Sequence, residues 1–522
     1  MMDIKSSCIK LVSEKYCNGL FSFKTEMILI CIILAFVGFI IFFNKIKSFF
    51  LKNEKKVFLA IIGLFVIINL IYQFTQGATG DLLEHTHSGF LVSQGQIIYV
   101  DFLQMHHPLY YLLISPTFLI FQNMTAIYLL YFLSFAALIA SCVYLYKIGM
   151  NLFNNKRISY LIVIFFVSIK NVLVSYELRP DPFSALFLII SFHYLIKAKD
   201  IKSYIKSGLC MGISVFFMQK TILYFAAFLF TIFINNILRK SQIIKNIKNS
   251  FYFSIFGILP TAIYVFFVYL IEGIRGINTY YLSTYVLQME ENWGYDLVNR
   301  FTAYSLTNGI HFILAIVGIF IFVKYYKKIE NYGTLVAIMI LNLVIFSYFI
   351  IEKVIGAQYF LYLAPFFAIS GTLAFIHLGK KIPKKVQSIW YALSIIILLI
   401  IPLTFTYLNA TTINHSDNKE IKFYLNNFKG ELANCNFIFN RGIELWHPTD
   451  SRINYFYAEQ GIKNKTTDDL INENYRIICV NQKDKISQQK LIENNYVRYN
   501  TENGYYQDMF YKPKENQTIK VK

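Results

Sequence analysis

A succession of long apolar runs constrains this chain more than any other feature of its sequence. Each run approaches the length of about 20 residues that a helix needs to cross the hydrocarbon core of a bilayer. A soluble domain does not carry such runs one after another, so the sequence predicts a mostly α-helical, polytopic membrane protein. The predicted spans, about twelve in all, are 27–43, 57–75, 125–146, 158–175, 182–197, 205–219, 221–237, 251–271, 303–323, 332–350, 357–376 and 387–408.

The charge of the chain fits a membrane protein and gives no sign of a nucleic-acid partner. The formal net charge is +19, but the lysines cluster in short loops between the apolar runs. That distribution follows the positive-inside rule, which orients a membrane protein and says nothing about nucleic-acid binding. We therefore expect membrane lipids, and no nucleic acid, among the partners.

The basic loops also predict the topology. The lysine-rich clusters can all face the cytoplasm only if residues 107–122 do not cross the bilayer. This segment is short for a span and contains Pro108 and Pro116, so we predict an interfacial helix along the membrane surface. The loop 76–124 and the C-terminus then face outward.

Composition divides the chain into three parts. Residues 1–26 are mixed and mildly basic, with no pattern of a cleaved signal peptide. Residues 27–408 form the predicted transmembrane domain, whose loop 76–124 carries the chemistry. Residues 409–522 are an ordinary polar mixture, which predicts a small extracytoplasmic α/β domain. Its predicted strands are 436–440, 475–480 and 505–512, and its predicted helix is 486–495.

The loop 76–124 contains a concentration of titratable residues that the rest of the chain lacks. Asp81, Glu84 and His85 are spaced i, i+3 and i+4, so a helix that begins near Asp81 places all three on one face. From the residues alone, two roles for Asp81 are equally favoured: a carboxylate that caps the helix, or a catalytic base.

A stretch of about thirty residues in this loop resembles a known family. It is similar to the first outward loop of GT-C-type glycosyltransferases, specifically the superfamily of dolichyl-phosphate-mannose protein mannosyltransferases and aminoarabinose transferases. The matching residues are Asp81, Glu84, His85, His87, Gly95, Tyr99, Asp101, Phe102, His106, His107, Pro108 and Leu109. Weaker similarities follow in the family's order at Arg179–Asp181 and Gln219–Thr221, whereas Val100 stands where the family often has an arginine.

The resemblance implies a GT-C fold with interfacial helices in the first outward loop. It also implies an enzyme of a bacterial cytoplasmic (inner) membrane that transfers a sugar from a polyprenyl-phosphate donor, with inversion, to a lipid, glycan or protein acceptor in the cell envelope. An acceptor hydroxyl is a poor nucleophile and needs a base. The resemblance gives that catalytic role to Asp81, accompanied by Glu84.

Departure of a lipid phosphate builds negative charge that cations must stabilise. The candidates for binding the donor phosphate are Arg179, Lys220 and Lys353, and the resemblance adds Tyr359, which lies in a segment similar to the family's late tyrosine and proline segment. For the two lysines, snorkelling to the membrane interface is an equally favoured alternative. Arg179 and Asp181 can also form an ion pair that braces a turn between prolines.

Histidine and carboxylate side chains in the loop suit a divalent metal such as Zn, Mn or Mg. His85 and His106 are the predicted metal ligands, although their spacing matches no zinc signature and some relatives work without metal. The histidines before Pro108 can instead orient the interfacial helix. Four further residues are predicted to bind substrate or to support the structure: Tyr99, Asp101, His107 and Asp181.

Two non-enzymatic functions are alternatives to the transferase. A transporter or flippase for lipid-linked glycans needs a polar path through the middle of the membrane, and this chain places few charges at the centres of its spans. A non-catalytic membrane subunit has no need to retain Asp81, Glu84 and Arg179. The sequence therefore favours the enzyme.

Overall fold

The structure is a computed structural model that describes residues 53–75, 80–121, 124–169, 172, 175–198, 200–238, 243–286, 297–325, 332–351, 359–381, 432–433, 467–472, 477–481, 484–499 and 507–511. The chain divides into two compact units. Unit 1 comprises residues 1–75, 133–263 and 291–413, and unit 2 comprises residues 76–132, 264–290 and 414–522.

Helices form most of the described chain, as the apolar runs predict. They are α1 (Glu54–Thr75), α2 (Gly80–Ser93), α3 (Leu109–Ile120), α4 (Met124–Phe153), α5 (Lys156–Ser168), α6 (Asp181–Ile196), α7 (Ile201–Phe217), α8 (Ile222–Leu238), α9 (Ile243–Tyr281), α10 (Leu297–Tyr325), α11 (Tyr332–Ile351) and α12 (Tyr359–Lys381). A 3₁₀ turn, Gln219–Thr221, joins α7 to α8, and a π-helix, Leu282–Val286, follows α9.

Each predicted span that falls on described residues corresponds to a helix, while the predicted spans 27–43 and 387–408 lie outside the described residues. Among the described helices, four are long and apolar enough to cross a membrane: Lys55–Phe74, Thr125–Phe153, Ile247–Val286 and Tyr359–Lys381. Others, such as α6, are apolar but shorter. Helices of this kind satisfy their own backbone hydrogen bonds and can pack inside the protein at membrane depth.

The helix α12 is the core of unit 1. In its most apolar stretch, 94% of the residues are buried inside the protein, so its side chains face other helices and little of it faces lipid. By contrast, α1 exposes Leu59, Ile67 and Ile71. Hydropathy alone does not separate these two environments, since lipid tails and a protein core are equally apolar.

Small residues allow the helices of unit 1 to approach closely. Gly318 of α10 lies against the carbonyl oxygen of Ser370 in α12. Gly208 and Gly212 of α7 lie in the same way against the backbone of α9. Inside a membrane the hydrophobic effect does not drive helices together, so close packing at small residues supplies much of the association energy.

Two reciprocal serine pairs join the antiparallel helices α6 and α7. Ser184 donates to the carbonyl oxygen of Ser214 at 2.8 Å, and Ser214 donates back to Ser184 at 2.7 Å. Ser191 and Ser207 repeat the arrangement at 2.8 Å in both directions. Because all four serines are buried, these bonds fix the height of α6 relative to α7.

In unit 2, α3 confirms the helix predicted within 107–122. One face is buried through Tyr110, Tyr111, Ile114 and Phe118. The other face exposes large apolar side chains, namely Leu112, Leu113, Leu119 and Ile120. A short helix with an exposed apolar face has the form of an interfacial helix, although its position in the bilayer stays a prediction.

The C-terminal part of unit 2 contains α13 (Thr467–Asn472), α14 (Lys485–Glu493) and a sheet of β1 (Leu432–Ala433), β2 (Ile477–Asn481), β3 (Val497–Tyr499) and β4 (Gln507–Tyr511). The strand order is β1-β2-β4-β3. β1 is parallel to β2, and β4 is antiparallel to both β2 and β3. The strands predicted at 475–480 and 505–512 and the helix predicted at 486–495 are present, whereas 436–440 lies outside the described residues.

Replacing Gly318 by alanine tests the close contact between α10 and α12. A Cβ at this position overlaps the carbonyl oxygen of Ser370, so the helices must separate, at a cost of about 1–3 kcal/mol. Gly63→Ala in α1 is the matched control because a Cβ there meets nothing. We expect Gly318→Ala to lower the melting temperature of the purified protein and Gly63→Ala to leave it unchanged or raised. Equal melting temperatures would contradict the packing described for α12.

Candidate active site

The helix α2 places Asp81 in its first turn, one residue after the helix begins at Gly80. The helix predicted from the i, i+3, i+4 spacing of Asp81, Glu84 and His85 is thereby confirmed. A carboxylate in the first turn is favoured by the partial positive charge of the helix N-terminus. The Asp81 side chain lies outside the described part of the structure, so its role as the base stays a prediction.

His85 contributes to the contact between α2 and α3. Its ring is 1% exposed, and its Nδ1 hydrogen-bonds the hydroxyl of Tyr111 at 2.9 Å. The ring of His106 is 5.2 Å away between centroids and that of Tyr110 is 5.9 Å away. Sequence reasoning did not select Tyr110 or Tyr111, because a tyrosine in an apolar helix gives no signal of its own.

A buried amide connects α2 to the segment before α3. Gln104 donates from Nε2 to the hydroxyl of Ser88 at 2.8 Å, and its Oε1 accepts from the backbone N–H of His106 at 3.3 Å. Both Gln104 and Ser88 are buried. The bonds fix the backbone on which His106 and His107 lie, and neither Gln104 nor Ser88 was predicted.

His107 is an anchor to the end of α9. Its Nε2 hydrogen-bonds the hydroxyl of Tyr280 at 3.0 Å and that of Tyr285 at 3.4 Å. The His107 and Tyr280 rings also stack, with centroids 5.6 Å apart. Of the two roles predicted for His107, the structural one therefore has direct support.

Tyr99 and Asp101 shape the turn between α2 and α3. Tyr99 has a φ of 69°, unusual for a residue with a side chain, and its hydroxyl donates to the carbonyl oxygen of His106 at 2.6 Å. Burial, reinforced by neighbouring tyrosines, raises the pKa of Tyr99 well above its usual value, so the hydroxyl remains a neutral donor. The exposed carboxylate of Asp101 accepts from the backbone N–H of Ile97 at 2.7 Å. Both residues support the structure.

The predicted metal ligands lie near one another but do not complete a site. The His85 and His106 rings are neighbours, yet one nitrogen of His85 already bonds Tyr111. Among the described residues, no group of three or more His, Cys, Asp or Glu side chains is arranged to hold a metal ion. A catalytic metal usually has at least three protein ligands, so the described residues do not fit one, and metal binding stays a prediction.

Unit 1 contains a second group of predicted site residues, which we call the Asp181 cluster. Asp181 is 0% exposed and accepts from Nε of Arg179 at 3.2 Å and from the hydroxyl of Tyr362 at 3.0 Å. Glu177 lies 3.8 Å from the same guanidinium nitrogen. The predicted ion pair between Arg179 and Asp181 is therefore present, and it ties the turn before α6 to the first turn of α12.

Lys220 of the 3₁₀ turn extends this cluster. Its Nζ contacts the hydroxyl of Tyr359 and lies 4.4 Å from the centre of that ring. Tyr359 begins α12 and precedes Tyr362 by one turn. The structure thus brings together Arg179, Asp181, Lys220 and Tyr359, four residues predicted from three separate segments, while Lys353 lies outside the described residues.

The sequence matches no protein-family model and no curated protein, but the fold matches solved structures. ArnT from Cupriavidus metallidurans in the apo state superposes with a TM-score of 0.59 at 10% identity, over 88% of this chain and 98% of ArnT. ArnT bound to undecaprenyl phosphate gives a TM-score of 0.57 at 8% identity, over 87% of this chain and 97% of ArnT. This chain has a GT-C fold.

Oligosaccharyltransferase AglB from Archaeoglobus fulgidus, solved with an inhibitory peptide and a dolichol-phosphate, is also similar. It aligns with a TM-score of 0.47 at 10% identity, over 90% of this chain and 75% of AglB. ArnT is a GT-C glycosyltransferase. The GT-C fold that the loop motif implied is thereby confirmed through the match to ArnT.

Removing the Asp181 carboxylate tests whether it braces the GT-C core. In Asp181→Ala the buried Arg179 loses its nearest carboxylate, which we expect to lower the free energy of unfolding by about 3–5 kcal/mol. The matched control is Asp468→Ala, which breaks an exposed ion pair with Lys490 and costs about 0–1 kcal/mol. Denaturant unfolding in detergent measures both, and a similar small loss in the two variants would contradict a bracing role.

Proposed function

We propose that this chain is an integral membrane glycosyltransferase that transfers a sugar from a polyprenyl-phosphate donor to an acceptor on the outer face of a bacterial cytoplasmic membrane. The observation that carries the proposal is the fold shared with ArnT across 88% of this chain and 98% of that protein. One of the ArnT structures holds undecaprenyl phosphate, a lipid carrier of the proposed class. The same kind of donor is implied by the motif of the loop 76–124.

Asp81 is the proposed general base. Its carboxylate takes the proton from the acceptor hydroxyl as the oxygen attacks the anomeric carbon of the sugar, and the bond from that carbon to the lipid phosphate breaks. Attack opposite to the leaving phosphate inverts the configuration. The resemblance of the loop 76–124 to GT-C glycosyltransferases supports this role, and Asp81 stands in the first turn of α2. Glu84 follows one turn later and is proposed to assist.

Lys220 is the strongest of the proposed phosphate ligands. The positive charge of Arg179 is already paired with the carboxylates of Asp181 and Glu177. Arg179 is therefore a weaker candidate than Lys220 for binding the donor phosphate. No ion pair between Lys220 and a carboxylate is present within the described residues, and its Nζ contacts the hydroxyl of Tyr359. An ammonium and a phenol side by side can both donate hydrogen bonds to a departing phosphate.

The acceptor is proposed to be a lipid or glycan of the cell envelope, with protein as a further class. Mass spectrometry of envelope lipids and glycans from a deletion strain, compared with the same strain carrying the gene, identifies the sugar and the acceptor that depend on this chain. Transfer by the purified protein in detergent then separates an enzyme from a flippase, because no membrane divides two compartments there.

Asp81→Asn tests the proposed base. We expect the rate of sugar transfer to fall by about 10²–10⁴-fold, the usual contribution of a general base, with unchanged expression in the membrane. Asp200→Asn is the control: it removes one carboxylate from the exposed N-cap of α7, and asparagine caps equally well. Unchanged turnover in Asp81→Asn would remove Asp81 from the role of base.

Lys220→Met tests the proposed phosphate contact. Loss of a charged hydrogen bond raises the KM for the polyprenyl-phosphate sugar by about 10- to 100-fold, and Lys220→Arg retains part of the affinity. Lys380→Met removes an exposed lysine from the last turn of α12 and serves as the control. If Lys220→Met left KM and kcat unchanged, snorkelling would be the better explanation for Lys220.

A further inference from the structure

A cluster of basic and aromatic side chains lies where α4, α6 and α7 meet, which we call the His193 cluster. His193 is in the last turn of α6. With a rise of about 1.5 Å per residue, it is about 18 Å along the helix from Asp181. The proposed catalytic chemistry makes no use of these residues.

At the centre of the cluster is the buried imidazole of His193, among polar and aromatic groups. His193 is 6% exposed, and its Nδ1 lies 3.3 Å from the amide nitrogen of Asn151 in α4. The rings of Tyr144 and Tyr194 each lie 5.5 Å from the imidazole, both nearly perpendicular to it. Three side chains from two helices therefore converge on one histidine.

Two lysines lie over the tyrosine rings that flank His193. Nζ of Lys147 lies 4.7 Å from the centre of the Tyr144 ring, and Nζ of Lys206 lies 5.4 Å from the centre of the Tyr194 ring. Lys197 follows His193 by four residues, at the C-cap of α6. In the part of the chain that the structure describes, none of these lysines forms an ion pair with a carboxylate. The nearby carboxylate of Asp200 accepts from the backbone N–H and the hydroxyl of Ser203 instead.

Exposed apolar side chains continue from the lysines along the same helices. On α4, Ile139 and Val143 precede Lys147 at intervals of four residues and are 43% and 46% exposed. On α7, Leu209 follows Lys206 by three residues and is 38% exposed. Residues at these spacings share a helix face with the lysine, so Lys147 stands at the end of an apolar stripe on α4 and Lys206 lies about one turn from an exposed leucine on α7.

We propose that the His193 cluster binds the headgroup of an anionic phospholipid. Lysine ammonium groups bind a phosphodiester as point charges, and tyrosine hydroxyls and rings are suited to the headgroup depth of a membrane. Basic pockets between transmembrane helices bind anionic headgroups in the same manner. The apolar stripe on α4 and Leu209 on α7 are where the acyl chains lie, and they favour a lipid over a free phosphate, which would bind to the charges alone.

Lipid binding by the purified full-length chain in detergent tests this proposal. Native mass spectrometry measures retention of dioleoyl phosphatidylglycerol, which is anionic, against dioleoyl phosphatidylcholine, which is zwitterionic. We expect the wild type to prefer the anionic lipid. The double variant Lys147→Gln, Lys206→Gln should lose about fivefold in affinity for each lysine removed, with binding of the zwitterionic lipid unchanged.

The matched control is Lys55→Gln, Lys56→Gln, which removes two exposed lysines from the start of α1 and should keep the preference. An equal loss of affinity for the anionic lipid in the two double variants would show that only the net charge of the protein matters, and it would contradict the proposed site. Absence of a preference in the wild type would overturn it as well. Displacement of the lipid by glycerol phosphate at the same concentration would assign the site to a free phosphate instead. Lys147→Arg, Lys206→Arg keeps the charge and should restore binding.

Discussion

Burial of the Asp181 carboxylate is the constraint on which unit 1 depends. A carboxylate with no solvent exposure is stable only if its charge is paired and its oxygens accept hydrogen bonds. Arg179 supplies the charge and Tyr362 a second hydrogen bond. These partners come from the turn before α6 and from the first turn of α12, so one buried charge requires both elements to meet. Tyr359, one turn earlier in α12, contacts Lys220, the proposed phosphate ligand. The position of Lys220 is therefore linked to the Asp181 cluster through α12.

The helices can meet in this way because the side chains at their contacting faces are small. Gly318 lets α10 touch the backbone of α12, and the serine pairs bring α6 and α7 into hydrogen-bond contact along two levels. Inside a bilayer, neighbouring lipid is as apolar as another helix, so specificity comes from close packing and from buried hydrogen bonds. The position of Asp181 at the start of α6 is therefore set by contacts farther along that helix. A fold that depends on backbone proximity leaves little trace in a hydropathy profile.

In unit 2, histidine–tyrosine hydrogen bonds hold the helices together, whereas in unit 1 glycine contacts and serine pairs do so. His85 bonds Tyr111 within the loop, and His107 bonds Tyr280 at the end of α9. The sequence identified these histidines as notable, because a cluster of titratable groups beside an apolar run is unusual. It did not identify their tyrosine partners, which lie as far as 178 residues along the chain. For the same reason the sequence could not decide whether Tyr99 and Asp101 bind substrate or support the structure, because the role of a side chain depends on which residues fold against it.

The sequence by itself determined that the chain is a helical membrane protein, where most of its helices run, and which thirty-residue loop carries the family motif. These properties are local: apolar length, helix periodicity and residue spacing can be read without knowing what lies across the fold. Only the tertiary structure decided that α12 is a buried core helix and that the charge of Arg179 is paired with two carboxylates. It also decided that His85 and His107 hydrogen-bond tyrosines. Each of those facts is a pairing between distant segments, and its energy arises only when burial removes the competing water from both partners.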